Sequence, residues 1–491
     1  MDESTILDKF KEAKSIMKTI GLKKNDDQIP QISWILLLKI IDDYDKKRQD
    51  EPNFQPLIPK PYRWQDWTSQ IKLTDQPLID FVTTDLFPKL RNLPIEPGFE
   101  FRQIINSIFR NVNNRIPKGI PLREIIDLFV NKKDEKNTEK IIDFADITTV
   151  RTFSKVYEKQ LEEMRNDAGK SAIFYTPSAV VEFIVSYIKP NFRKNETIFD
   201  PAFGLGGFLL ESFKQMKPYE KESSDVVTLR EKTLFGVEKE GEHFLCTVIR
   251  MMLNDLDKLN LVLDNSLHKD TKIIPEKNHY DIIMTNPTYG GHENKSIKDN
   301  LPHKMKGAST EMHFLYYVMQ SVKDGGRGAM IVPNGILFAG DDAALYAKGK
   351  LFSDFNVHTI IRLPKSMFQP YNTVETNILF FEKSGPTKEI WFYEMPIREG
   401  IKGYSKTKLP ETRDFEPVLQ WMKNKEENDI AWKIKVSELK DFNLVIANPN
   451  KKEPTIDLSP HELIQQIISD EKKTLELLED VENLINTEIP K

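Results

Sequence analysis

The sequence predicts an α/β protein in three segments: a helical N-terminal domain over residues 1–165, an α/β domain with a parallel sheet over 166–400, and a C-terminal region over 401–491 that ends in a long helix. Three observations carry this. Apolar residues recur at three- and four-residue intervals through the first third of the chain. From Thr197 short apolar runs ending in Gly or Asp alternate with helical stretches, the mark of strands joined by crossover helices. Finally, Ser459 to Ile489 carries one continuous apolar stripe at helical spacing.

In the N-terminal third, Ile6-Phe10-Ala13-Ile16-Met17-Ile20 and Ile35-Leu38-Ile41 each fall on one helical face. The four prolines between Glu51 and Tyr62, and the polar stretch from Asn111 to Gly119, mark loops between helical blocks. The charged run from Lys132 to Lys140 is expected to be a solvated turn or exposed helix end. Strands are expected at Thr197-Phe199, Thr233-Val237, Asp281-Thr285, Arg327-Val332, Val357-Leu363 and Thr376-Glu382, with a short one at Leu261-Val262-Leu263, so the sheet should span roughly 195 to 385. The last helix opens on Ser459-Pro460-His461-Glu462, with Ser at the N-cap, Pro at the first helical position and an acid at the third. Its stripe, from Leu463 and Ile464 to Leu484 and Ile485, either docks on a partner helix or packs back on its own chain.

A chain of 491 residues exceeds what one core usually organises, so two or three domains are expected. Hydrophobic residues at 39%, charged residues at 30% and a mean hydropathy of -0.47 fit a soluble protein. No apolar run approaches the ~20 residues of a membrane span, and Met1-Asp2-Glu3 lacks the basic start of a secretory signal, which points to the cytoplasm and to no membrane partner. The one cysteine, Cys246, excludes an intramolecular disulfide and a cysteine-cluster zinc site, and the eight histidines show no ligand spacing, so no metal is expected. A net charge of -5 sits badly with nucleic-acid binding: either basic residues are focused on one face, or a partner supplies much of the contact.

The chemistry concentrates at strand ends. Phe199-Asp200-Pro201-Ala202-Phe203-Gly204-Leu205-Gly206-Gly207-Phe208 places an acid and glycines between a strand and a helix, where the backbone approaches a ligand closely and helix N–H groups are free. Read alone, this is a tight turn as readily as a ligand loop. The next strand ends on Glu238, about thirty residues on, where a nucleotide-binding sheet places a carboxylate for ribose hydroxyls. Leu261-Val262-Leu263 leads into Asp264-Asn265-Ser266, from which a side chain such as Asn265 would reach an adenine ring.

The deciding segment is Tyr280-Asp281-Ile282-Ile283-Met284-Thr285-Asn286-Pro287-Thr288-Tyr289. An exocyclic amine conjugated to a ring is a poor nucleophile. The Asn286 amide oxygen and the Pro287 carbonyl would accept its two hydrogens and favour the tetrahedral nitrogen that attacks a methyl sulfonium. Tyr289 would stack on the base, which must leave the helix to react.

Together these motifs resemble the modification subunit of type I restriction-modification systems, an N6-adenine DNA methyltransferase, and the similarity runs across most of the chain. Phe174-Tyr175-Thr176-Pro177 and the helix from Ser178 look like the family segment around the methionine part of S-adenosylmethionine. Asp200 with Gly204, Leu205, Gly206 and Gly207 is similar to its cofactor loop, and Glu238 occupies its ribose position. Thr310-Glu311 with Phe314, Gly325-Gly326-Arg327, Val332-Pro333-Asn334-Gly335, Arg362-Leu363-Pro364, Met367-Phe368 and Thr376-Asn377-Ile378-Leu379-Phe380-Phe381 also look like this family. The resemblance implies a Rossmann-like S-adenosylmethionine-dependent methyltransferase domain between the helical N-terminal domain and the C-terminal helical extension. It also implies DNA and a specificity subunit as partners, a second copy of this chain in the assembly, and room for a restriction subunit.

Two departures stand out. The family loop usually reads Asn-Pro-Pro-aromatic, and Thr288 replaces the second proline; both acceptors remain, so activity is expected to survive with a less stiff loop. Phe203 and Leu205 stand in a glycine loop that more often carries small or hydroxylated residues. Two other functions share these features: the same fold methylating RNA or a protein glutamine, and a subunit that binds cofactor or DNA without turnover. Residues 292–307, with Lys295, Lys298, Lys304 and Lys306, are expected to be a mobile loop that closes over the base.

Overall fold

The computed structural model describes residues 2–52, 54–70, 72–130, 142–167, 175–290, 293–369, 374–405, 407–451 and 459–488. The charged run at 132–140 and Phe174 lie outside them.

Among the described residues, nine strands form one sheet: β1 (Ile198–Asp200), β2 (Leu234–Glu238), β3 (Asn260–Leu263), β4 (Tyr280–Thr285), β5 (Val322–Pro333), β6 (Asn356–Arg362), β7 (Thr376–Glu382), β8 (Glu389–Glu394) and β9 (Ala431–Lys435), in the order β3-β2-β1-β4-β5-β7-β6-β8-β9. Every expected strand is present within a few residues. The sheet is mixed, however, and it continues past residue 385 through β8 and β9. β1 to β5 are parallel, whereas β7 runs antiparallel between β5 and β6. The reason lies in the connection: among the described residues no helix stands between β6 and β7 to carry the chain across a sheet face, so the next strand returns in the opposite direction.

Alternation along the central strands divides the core into two layers. Ile198, Ile282, Ile331 and Ile378 point to one face, while Phe199, Ile283, Met330 and Leu379 point to the other. Helices Ser178–Ile188, Gly207–Met216 and Gly241–Met252 cover the first face. Thr310–Ser321 and Asp342–Asp354 cover the second. The N-terminal helices pack on the first layer around Asn25–Arg48, a helix buried on nearly all sides between Gln28 and Asp43. Tyr44 reaches from its end to donate to the Met252 carbonyl at 3.0 Å, tying the helical segment to the sheet's covering helix. Cys246 is buried in that covering helix.

Two segments bear on the earlier expectations. Residues 293–307 are folded: Asn294 caps the helix Lys295–Asp299 by accepting the Ile297 N–H at 3.1 Å, and Ile297, Leu301 and Met305 are buried in the second layer. Apolar anchors at those three positions make the segment part of the core, which corrects the expectation of a mobile loop. The helix Pro460–Glu488 begins with reciprocal Ser459 and Glu462 hydrogen bonds, and its described apolar side chains from Leu463 to Leu478 are 36–66% exposed. Over those residues the stripe is not packed on its own chain. Among the described residues, no helix is long and apolar enough to cross a membrane.

Candidate active site

Because β1 to β4 are parallel, their C-terminal ends meet on one edge, presenting Asp200, Glu238, Asp264 and Asn286 in turn. Strand order reverses between β1 and β4, which opens a crevice at that point. Two adjoining compartments fill it and share Tyr175, Ala202, Gly204, Leu205 and Asn286. The first adds Glu238, Asp264, Asn265, Thr288, Thr310 and Phe314. The second adds Thr176, Ser178, Asp200, Gly207, Glu158 and Arg250.

The glycine loop between β1 and the Gly207–Met216 helix needs two left-handed residues, Gly204 (φ +54°) and Gly206 (φ +72°). Gly206 lines neither compartment. A Cβ there would stand 2.6 Å from Thr247 Cγ2, so its smallness serves close packing on the Gly241–Met252 helix. Phe203 turns into the core beside Phe244, in space left by Gly236, whose added Cβ would stand 2.6 Å from Phe203 Cδ1. Most of its bulk is therefore absorbed beneath the loop, and the remainder borders the second compartment. Leu205 lines both compartments while its carbonyl accepts from Arg250 Nη1 at 2.6 Å.

Glu238 clasps two loops. Its Oε2 accepts the Gly204 N–H at 2.8 Å, and its Oε1 accepts the Lys239 and Glu240 N–H groups at 2.9 and 2.8 Å. With about four acceptor positions on a carboxylate, roughly one remains for a ligand hydroxyl. Asn265 uses its side-chain oxygen to cap the turn at Leu267 N (3.0 Å), whereas the neighbouring Asp264 carboxylate accepts from Asn265 N and contacts His268 Nδ1, both at 2.8 Å. Asp200 is buried and accepts from Thr285 Oγ1 at 2.8 Å and Ala202 N at 3.1 Å. Burial pushes its carboxyl up to about 7 against the pull of those two donors, with the nearby Glu238 charge adding to the rise.

At the end of β4, the buried Asn286 amide is held at both atoms. Its Nδ2 donates to Thr176 Oγ1 at 3.0 Å, and its Oδ1 accepts from the Tyr289 hydroxyl. The turn closes at Gly290 (φ +77°), whose N–H donates to Glu311 Oε2 at 3.1 Å. Burial, with Glu311 nearby, holds the Tyr289 phenol far above its ordinary range, so it stays a donor. Pro287 and Tyr289 line neither compartment, and Pro177 caps the Ser178–Ile188 helix without lining one. Asp264 lies in the segment expected to reach an adenine ring, whereas the sequence alone assigns no role to Thr310, Phe314, Glu311 and Arg250. Thr310, Glu311 and Phe314 were visible there as family-like residues, while nothing marked Arg250, whose partners are remote in the chain.

The N-6 DNA Methylase family matches residues 148–457. Over 97% of its length the chain is 36% identical to the methylase subunit of the type I restriction enzyme EcoEI of Escherichia coli, covering 96% of that protein. The chain belongs to the type I restriction-modification methylase subunits, N6-adenine DNA methyltransferases. The methylase subunit of EcoKI from Escherichia coli strain K12 is 25% identical over 76% of this methylase subunit and 72% of its own length. The structure of a type I modification subunit from Vibrio vulnificus YJ016 superposes on this methylase subunit with a TM-score of 0.77 at 35% identity, covering 91% of this chain and 97% of that one. A chain of another structure, which addresses complex assembly and conformational transition of the type I R-M system, gives 0.76 at 30% identity over 98% of both. The family match takes in every candidate residue from Tyr175 to Glu311, and most of the N-terminal helices of the methylase subunit precede it.

Proposed function

We propose that this methylase subunit transfers the methyl group of S-adenosylmethionine to N6 of an adenine rotated out of duplex DNA, with Asn286, Pro287 and Tyr289 as its catalytic loop. The observation that carries this is the Asn286 amide at the junction of the two compartments, its orientation held by Thr176. The residues fit the cofactor. Glu238 retains an acceptor position for a ribose hydroxyl, Asp264 and Asn265 with the Phe314 ring suit an adenine, and Tyr175, Thr176 and Asp200 suit the polar methionine end.

When bound, S-adenosylmethionine supplies a methyl group already activated by the positive sulfonium. The chain supplies position and acceptors. Asn286 Oδ1 and the Pro287 carbonyl accept the hydrogens of the amine, drawing its lone pair out of conjugation and toward the methyl group. The Tyr289 hydroxyl leaves Oδ1 as the amine arrives, and its ring stacks on the base. A specificity subunit chooses the sequence in the cytoplasm, two methylase chains serve one specificity chain, and a restriction subunit completes the enzyme where present.

Incubating the chain with tritiated S-adenosylmethionine and DNA, RNA or protein, with and without its specificity subunit, tests this. Label is expected in DNA with the subunit present, and Asn286→Ala should abolish transfer while cofactor binding persists. Label in RNA or protein alone, or unchanged turnover in that variant, would sink the reading.

A further inference from the structure

The Gly241–Met252 helix stands between the glycine loop and the N-terminal helices, and it grips both. Thr247 Oγ1 donates to the Gly204 carbonyl at 2.9 Å, and Arg250 Nη1 donates to the Leu205 carbonyl at 2.6 Å. Because a trans peptide points its N–H opposite its carbonyl, the Thr247 bond turns the Leu205 N–H away from this helix. The same guanidinium donates through Nε to Glu158 Oε1 at 2.6 Å, on the N-terminal helix Ile147–Asp167. That helix is seated by further bonds: Tyr157 shares a 2.7 Å contact with Ser33, and Asn254 Nδ2 donates to Ser154 Oγ at 3.2 Å.

The Arg250 side chain is 14% exposed and that of Glu158 is 32% exposed. Separating them would strand a largely buried cation, which is costly. Both residues line the second compartment, and two more residues of the N-terminal segment, Asp26 and Met164, line the first. The N-terminal helices are thus part of the cavity wall, and one side chain joins them to the loop that shapes it.

We propose that Arg250 is a positioning residue that couples cofactor binding to the seating of the N-terminal helices. It holds the glycine loop in its binding shape only while Glu158 is in place, and a cofactor that fixes the loop in turn holds Glu158 and its helix. Such coupling is reciprocal by linkage, so it must be visible from both ends. The proposal rests on the reading of the two compartments as the S-adenosylmethionine site.

The test uses the full chain with its specificity subunit and S-adenosylmethionine as the probe, read by calorimetry and by hydrogen exchange. Arg250→Met and Glu158→Gln are each expected to weaken cofactor binding, the first by about tenfold or more, with Arg250→Lys between Arg250→Met and the native chain. In the native complex, cofactor should slow amide exchange over 147–167. In Arg250→Met at saturating cofactor, that protection should vanish. Should Arg250→Met fail to fold, Glu158→Gln carries the same two measurements. Cofactor binding in the native complex with unchanged exchange over 147–167, or native affinity in both variants, overturns the coupling alone. Absence of any cofactor binding by the native complex overturns the site reading and this proposal with it.

Discussion

Asp200 shows how one buried side chain sets a pH dependence. Its carboxyl is raised by burial to about 7 in the folded chain, against about 4 when unfolded. Between those values the folded state holds one more proton than the unfolded state. Stability therefore falls as pH rises through that window. Asp200→Asn removes this contribution, so the stability of the native chain relative to the variant should decline from pH 5 to pH 8. Thermal unfolding across that range measures it, and a constant difference would count against the assignment. Thr288 offers a second test. It lines the first compartment beside Asn286, and both acceptors of the loop, Asn286 Oδ1 and the Pro287 carbonyl, belong to other residues. Thr288→Pro should alter turnover by less than about tenfold, since it changes loop stiffness and keeps both acceptor groups. A native chain that transfers no methyl group with its partner, restored by this substitution, would refute native activity.

At the scale of elements, the folded segment at 293–307 and the final helix lead to opposite expectations. Leu301 is 1% exposed, and Met305 offers its carbonyl to the buried His313 ring at 2.9 Å. Leu301→Ala should cost about 2–5 kcal/mol in denaturant unfolding. The segment should resist proteolysis equally with and without DNA. The final helix, by contrast, shows an exposed apolar stripe, so removing residues 459–491 should leave the melting temperature of the remainder within a degree or two while abolishing co-purification with the specificity subunit. Loss of the whole fold on truncation would mean that the stripe supports its own chain. These elements also show what sequence periodicity conveys. The capping signature at Ser459 and the strand preceding Asn286 depend on neighbours in the chain and were legible. Ile297, Leu301 and Met305 sit four residues apart in a polar stretch, and the lysines around them concealed the anchors.

Across the whole molecule, the strands that carry the site were readable because each is a short apolar run closed by a turn. The site's wiring was not. Glu238 reaches Gly204, Asn286 reaches Thr176, and Arg250 joins Leu205 to Glu158, all across long stretches of chain that leave no local pattern. β8 and β9 escaped for another reason: Glu389–Glu394 is framed by charge, and Ala431–Lys435 is a half-exposed edge strand with no extended apolar run. The placement of β7 between β5 and β6 was equally hidden, since pairing order is not written in any one strand. That placement carries a cost during synthesis. β5 ends at Pro333, and the strand that completes its pairing begins at Thr376, some 40 residues later. At a ribosomal rate of about 5–20 residues per second, the apolar flank of β5 waits about 2–8 seconds for its neighbour, an interval in which a nascent chain most needs protection from aggregation.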